Sequence, residues 1–363
     1  MRKLITSEAI TEGHPDKICD KISDKILDTA LSQDKFSKMA VEATIKDELI
    51  LIYGEAKTKA SIDYENIAKE VLKDIGYEEE YKVIIKVGVQ SAEINNAVDK
   101  DVICAGDQGI MFGYASNESV EFMPLPILFA NRLAKRLATI RKNSKNSILR
   151  PDGKTQVTIE YIDNKPVRVD TIIIASQHKT GIDKKELESL IINEVIKKVI
   201  PEEFIDYNTK ILINTSGSFV TGGSFGDSGT TGRKIVADTY GGAGKVGGGC
   251  FSSKDPSKVD RSAAYYARYV AKNIVANKYA SRCEVELSYA IGMEKPISVH
   301  IETFNTESVA MEKIYEYVNN NFDFSVDNII KELDLLRPIY YNLAAYGHFG
   351  RDDLDLSWET IKS

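Results

Sequence analysis

Cysteine is scarce and scattered in this chain of 363 residues. The four cysteines, Cys19, Cys104, Cys250 and Cys283, lie far apart, with no C-x-x-C. That spacing argues against a disulfide framework or a zinc site and fits reduced thiols in the cytoplasm. The four histidines include no pair at metal-ligand spacing, and nothing resembles a Ser-His-Asp triad. No run approaches the ~18 apolar residues of a membrane span. The N-terminal MRKLITSEAITEGHPDK lacks an apolar signal core. Positive charge is not in excess: the net charge is −7, so nucleic acid is not favoured as a global partner. There is no Walker A motif, because Gly244-Lys245 is followed by Val246 rather than Ser or Thr.

What is present is the composition of a soluble globular protein, 43% hydrophobic and 28% charged. The length suits two or three domains with substantial cores. The most informative segment is GGAGKVGGGCFSSKDPSKVDRSAAY, from Gly241 to Tyr265. Gly242, Gly244, Gly247, Gly248 and Gly249 are expected to let backbone approach a ligand closely. Lys245, Lys254, Lys258 and Arg261 supply positive charge. Asp255-Pro256 reads as a helix start, with Asp as N-cap and Pro first in the helix. Free N–H groups and the positive dipole end beside lysines suit a polyphosphate. Asp260 amid that charge points to a divalent cation, since Mg²⁺ bridges carboxylate and phosphate oxygens. The literal G-x-G-x-x-G at Gly242, Gly244 and Gly247 does not open a helix directly, as a dinucleotide fold requires. A flexible loop beside a solvated basic face is the plain competing reading.

Hydrophobic periodicity sets an element order. A strand at 3–6 leads to a helix opened by Gly13-His14-Pro15-Asp16, with Ile18, Ile22, Ile26 and Ala30 at i+4 spacing. Strands at 39–45 and 49–53 flank a turn at Asp47-Glu48. A helix at 63–75 and a strand at 83–89 complete a β-α-β-β-α-β unit, and residues 88–113 are loop-rich. Then follow a helix at 124–142, a hairpin of 156–161 and 171–176, a helix at 183–198 and a strand at 210–214. A helix at 261–280, strands at 283–291 and 297–303, and helices at 308–321 and 325–334 close the chain. The order implies an α+β fold of three similar units, 1–98, 99–220 and 221–363, which are free to interleave.

Several charged groups stand out. His14 and Asp16 at a helix start are either an ordinary acidic first turn or an anion and Mg²⁺ site. If Asp47-Glu48 is a two-residue turn, Glu42 faces Tyr53, Glu55 faces Ala40, and all four share one sheet face. Two carboxylates there suit a cation and a ligand amine, or merely a solvated face. Arg150-Pro151-Asp152-Gly153-Lys154 reads as a charged turn. Asp227 and Arg233-Lys234 lie in a second glycine-rich stretch.

Together these segments resemble the S-adenosylmethionine synthetase family over essentially the whole chain. The carrying stretches are SEAITEGHPDKICDKISD, CAGDQGIMFGYASNE, RPDGKTQVTIEY, GDSGTTGRKIVADTYGG, GGGCFSSKDPSKVDRSAAYYARYVAKNIV and AAYGHFGR. The resemblance implies three α+β domains about a pseudo-threefold axis and an active site between two subunits of a homodimer, within a homotetramer. It implies attack of methionine sulfur on C5′ of ATP, then hydrolysis of tripolyphosphate to pyrophosphate and phosphate. Two Mg²⁺ per site and K⁺ are the implied cofactors, and neither nucleic acid nor membrane is a partner. By matching position, His14, Lys154, Arg233, Lys234, Lys254 and Lys258 carry catalysis. ATP falls to His14, Asp152, Lys154, Phe219, Asp227, Arg233, Lys234, Cys250 and Lys254. Methionine falls to Glu55, Gln90, Asp107, Asp227 and Lys258. Asp16 and Asp260 are the Mg²⁺ ligands and Glu42 the K⁺ ligand.

There are departures from the family pattern. Ser218 replaces the usual Arg before Phe219, and Cys250 and Ser253 replace small residues of GGGAFSGKD. The segment after Gln90 is short, and residues 91–105 are expected to form a lid over the site. A catalytically silent polyphosphate-binding relative is the alternative, but such a protein is free to lose His14, Lys154 or Asp260, and all are present. A phosphoryl-transferring kinase or ligase would more naturally carry a Walker A or kinase motif set.

Overall fold

Pro15 has no N–H to donate, so it suits the first turn of a helix. Helix α1 (Pro15–Gln33) starts there, capped by His14, whose Nδ1 accepts the Asp16 N–H at 3.2 Å. The computed structural model describes residues 1–89 and 103–362. Gln90 and most of the expected 91–105 lid lie outside the described residues.

Three sheets are present among the described residues. One has the order β4 (Lys82–Gly88), β3 (Leu49–Lys57), β2 (Lys38–Lys46), β9 (Gly229–Thr230). The inward residues Met39, Val41, Ala43, Ile45, Ile50 and Ile52 alternate along β2 and β3 and are buried. α1 packs on β2, and α2 (Tyr64–Ile75), capped by Asp63 and ended by Gly76 at φ +105, packs on α1 and β4. The hairpin has the expected register, with Glu42 opposite Tyr53 and Glu55 opposite Ala40.

The second sheet has the order β1 (Arg2–Ile10), β6 (Leu149–Ile162), β7 (Lys165–His178), β8 (Lys210–Ile213). It packs on α3 (Leu125–Asn143). The third runs β11 (Ser298–Glu302), β10 (Arg282–Tyr289), β5 (Gly109–Ser116), covered by α6 (Val259–Ala276). Further helices among the described residues are α4 (Lys184–Ile191), extended by a π turn at Ile192–Ile196 and a last helical turn at Lys197–Val199, the short α5 (Ile235–Asp238), α7 (Met311–Asn321), α8 (Val326–Glu332) and α9 (Tyr340–Leu343). Each sheet borrows a strand from a distant stretch: β1 pairs with β6, β5 with β10, and β9 with β2. No helix among the described residues is long and apolar enough to cross a membrane.

Three local expectations are corrected. The loop-rich stretch expected over 88–113 ends earlier, because β5 begins at Gly109. Its glycines weaken strand propensity, yet Gly113 is needed there: a Cβ would lie 2.0 Å from the Ala267 carbonyl carbon of α6. Arg150–Lys154 is not a turn but the start of β6, where a register shift separates the Leu149 and Gly153 pairs. The Gly13 backbone packs so tightly on Pro151 that a Cβ would clash at 2.4 Å. The third concerns Asp255, which does not cap a helix. Helix α6 starts at Val259 behind Lys258, because the Asp255 carboxylate accepts from Met39 N (2.8 Å), Ser257 N (2.9 Å) and Lys258 Nζ (2.5 Å).

The fold also buries a titratable ring. His348 is fully buried, 4.8 Å from the Phe251 ring, and its Nδ1 accepts the Tyr265 hydroxyl at 2.8 Å. Its Nε2 has no hydrogen-bond partner among the described residues. Burial, with Arg261, Lys17 and Arg351 nearby, holds its pKa well below 6.5. A histidine depressed in the folded state contributes stability that is complete above its unfolded pKa and is lost as pH falls below ~6.5. Melting temperature should therefore drop between pH 7 and 5. The drop should be smaller in His348→Asn, which keeps an acceptor at the Nδ1 position but cannot take a proton. Parallel melting curves across that range check this, and equal acid sensitivity in the two proteins would remove His348 as a source.

Candidate functional site

The N-terminus of α1 gathers one group of candidate residues. Asp16 is buried; its Oδ1 accepts the Thr230 N–H at 2.9 Å and its Oδ2 accepts Lys234 Nζ. Arg233 lies 3.6 Å from the same carboxylate. Burial alone would raise the Asp16 pKa, but Lys234, the Thr230 N–H and His14 outweigh it and hold the carboxylate ionised. His14 is held down to about 4, chiefly by burial and then by Lys234 and Lys154, against Asp16 and Asp227. A neutral ring that accepts at Nδ1 carries its hydrogen on Nε2, so His14 is a donor there. Asp152 is pushed up to about 6 by burial, while its Oδ2 accepts the Gly223 N–H at 2.8 Å. Lys154 is exposed on β6, one residue beyond Gly153. Asp227 is exposed and accepts from Ser228 N. Half-buried Phe219 exchanges hydrogen bonds with His178.

A second group lies at the start of α6. The Asp260 carboxylate pairs with Lys254 Nζ, which also donates to Gly248 O at 3.1 Å. Burial raises the Asp260 pKa, Lys254 opposes, and Asp107 of the CAGDQG segment adds to the rise. Asp107 itself is exposed. Gly109 brings that segment close, since a Cβ on it would sit 3.1 Å from Asp260 Oδ1. Cys250 is half-buried, its thiol pushed up to about 11 by burial, so it is no thiolate nucleophile. It packs against Gly232, whose Cβ would lie 2.6 Å from that of Cys250. On the open face of the hairpin, Glu42 accepts the Tyr53 hydroxyl at 3.1 Å and Glu55 is exposed beside it.

Some expectations about the glycine-rich segment are corrected. Gly244 and Gly247 allow close packing on the chain's own β5: a Cβ would meet Tyr114 at 2.8 Å and Ile110 O at 2.0 Å. Arg261 is not free for a ligand. It is fully buried and makes a two-pronged pair with Asp24, at 2.9 and 2.7 Å. Lys245 pairs with Glu284 at 2.9 Å.

Sequence reasoning passed over one feature. Asp16, Asp20, Asp24 and Asp28 recur every fourth residue on α1. Asp20 accepts Gly232 N (2.8 Å) and Lys17 Nζ (2.9 Å). Asp24 takes Arg261 and Ser252, and Asp28 takes the N–H groups of Tyr340 and Tyr341. The i+4 period was the available signal. It was read only for the apolar Ile18, Ile22, Ile26 and Ala30.

The first group offers a neutral donor, two cations and a carboxylate at a helix N-terminus; the second offers a lysine and carboxylate beside glycines. Both suit a polyanion with a divalent cation. No cluster of three or more His, Cys, Asp or Glu able to hold a metal by itself occurs among the described residues. One carboxylate at each point matches Mg²⁺, which keeps waters and takes phosphate oxygens.

Three family models match the chain in order. The N-terminal domain of S-adenosylmethionine synthetase covers residues 2–101, the central domain 102–219 and the C-terminal domain 221–360. The chain is 49% identical over 381 aligned positions to a protein named S-adenosylmethionine synthase from Clostridium tetani (strain Massachusetts / E88), covering 99% of this chain and 97% of that one.

One departure from the family pattern has a measurable cost. Ser253, which stands where GGGAFSGKD has glycine, is buried at φ +81. A non-glycine residue there costs ~1–2 kcal/mol, partly offset by the extra freedom glycine brings to the unfolded chain. Ser253→Gly should therefore stabilise the protein by about 0.5–1 kcal/mol. Denaturant unfolding measures it, and a destabilised variant would mean that the serine contributes more through its contacts than its backbone loses.

Proposed function

Because the chain belongs to the S-adenosylmethionine synthetase family, we infer that it is a methionine adenosyltransferase, making S-adenosylmethionine from ATP and L-methionine. The observation that carries this is the full-length, in-order family match. The two carboxylate–cation groups bring chemistry of the kind the reaction needs.

Thioether sulfur is already a soft nucleophile, so no general base is required. The site must align sulfur with C5′ and stabilise the departing triphosphate, and alignment with preorganised charge supplies the large terms. His14 Nε2–H serves the leaving oxygen, and its low pKa keeps it a neutral donor at working pH. Lys154, Arg233, Lys234, Lys254 and Lys258 surround the phosphates, and the bound tripolyphosphate is then hydrolysed to pyrophosphate and phosphate. Asp152, Phe219, Asp227 and Cys250 contact ATP; Glu55, Gln90, Asp107, Asp227 and Lys258 hold methionine. Asp16 and Asp260 would hold two Mg²⁺, which supply positive charge to phosphate oxygens. Glu42 would hold K⁺.

We place the active site between two subunits of a homodimer, as the family membership suggests. A twofold dimer then holds two sites, and a homotetramer pairs two such dimers. The cysteines, none of them in a disulfide, fit the cytoplasm.

Incubation with ATP, methionine, Mg²⁺ and K⁺ should yield a sulfonium, pyrophosphate and phosphate by mass analysis; ADP or AMP would overturn the assignment. Lys154→Ala should lose ~10²–10³ in kcat, the usual cost of one preorganised charge. Its exposed position predicts an unchanged melting temperature. Normal turnover in a folded Lys154→Ala would take Lys154 off the catalytic list. Lys258→Ala is a less clean probe, because it also strips buried Asp255 of its ion pair.

Glu42→Gln keeps the side-chain size and removes the charge that favours a cation. It should shift K⁺ activation to higher concentration and leave Mg²⁺ dependence largely intact. An unchanged K⁺ titration curve would make Glu42 an ordinary surface carboxylate.

A further inference from the structure

Arg233 and Lys234 are long side chains whose placement depends on the backbone beneath them. On one side, Gly232 has φ +84 and its N–H donates to Asp20 Oδ1 at 2.8 Å. On the other, the short helix α5 ends at Asp238, whose carboxylate accepts Lys17 Nζ. Lys17 also donates to Asp20 Oδ2 at 2.9 Å, which closes the loop. All three side chains are buried. Further ties exist: Thr231 binds Ala43 and Ser23, and the His348 N–H donates to Asp238 O. Among the described residues, only Asp20 and Lys17 link the two ends of the segment to each other through charge.

We propose that Asp20 is a positioning residue for adenosyl transfer: with Lys17 it brackets Arg233 and Lys234, holding Gly232 before them and Asp238 after them. The requirement is for a carboxylate. One oxygen takes a backbone N–H and the other an ammonium. An asparagine keeps the first acceptor but turns an NH₂ toward Lys17, donor against donor. Asp20 is one turn below Asp16, which holds Thr230 N. Successive rungs of α1 thus fix successive parts of one loop. This rests on the reading that Arg233 and Lys234 face the polyphosphate.

The test uses full-length Asp20→Asn and Asp20→Ala, with kcat expressed per folded enzyme. A displacement near 1 Å at a catalytic charge costs on the order of 10²-fold, so Asp20→Ala should lose about 100-fold in kcat and Asp20→Asn about 10-fold. The KM for methionine should stay within about twofold, since other residues are assigned to it. Hydrolysis of added tripolyphosphate should fall by the same factor as adenosyl transfer, because both cations act on that anion. Wild-type kcat per folded enzyme in either variant, however destabilised, would overturn the proposal. If neither variant folds, Asp238→Asn cuts the bracket at its other end; there a fall in kcat with unchanged methionine KM supports the proposal and wild-type turnover overturns it. Lys234→Ala in the same assays separates the two readings. If it retains full rate, the placement of Lys234 at the polyphosphate fails; if it loses rate while the Asp20 and Asp238 variants do not, only the bracket fails.

Discussion

The rest of the structure depends on a line of four carboxylates down one helix. Asp16, Asp20, Asp24 and Asp28 occupy successive i+4 positions on α1. Such a row repels itself and is costly to bury unless each member is paired. Each is paired, and each has at least one partner from far along the chain, at residues 230–234, 252–261 or 340–341. The buried Asp24–Arg261 pair cannot be broken cheaply from one side, because the survivor would be an unpaired buried charge. Helix α1 thus fixes where the two glycine-rich loops and the C-terminal segment must lie.

The site follows from that constraint. Arg233, Lys234, Lys254, Lys258 and Arg261 would repel one another if left bare. Within the chain, each is set against a carboxylate: Asp16, Asp260, Asp255 or Asp24. Glycines do the complementary steric job. Gly229 lets its loop press on the Pro15 carbonyl, and Gly232 lets it pass Cys250, where a Cβ would clash at 2.2 and 2.6 Å.

Much of this was legible in the sequence because its signals are local. The β2–β3 register follows from a two-residue turn and a period of two, and so did the shared face of Glu42 and Glu55. The start of α1 at Pro15 was equally plain. What stayed hidden depends on tertiary partners. Asp255-Pro256 has the local chemistry of a helix start, but a strand edge at Met39 claims the carboxylate. Arg261 looks like a ligand cation until Asp24 is known to face it. Gly113 argues against a strand until a helix backbone is found against it. In each case the competing partner lies more than a hundred residues away.

The pairing of cations with carboxylates also bears on how such a site works on a polyanion. A pocket of unopposed lysines would attract phosphate strongly but would be costly to fold and tolerant of many arrangements. Here the carboxylates hold the ammonium groups at defined points before any ligand arrives. Asp16 and Asp260 are themselves suited to Mg²⁺, so negative charge that opposes a phosphate can be cancelled by a cation the phosphate shares. The chain carries a net charge of −7, so on the proposed reading its attraction for polyphosphate would be local and geometric. A field built this way is set by backbone position, because fixed dipoles and charges act without reorganising during the reaction. On that reading the buried rungs of α1 beyond Asp16 would matter to chemistry they do not touch.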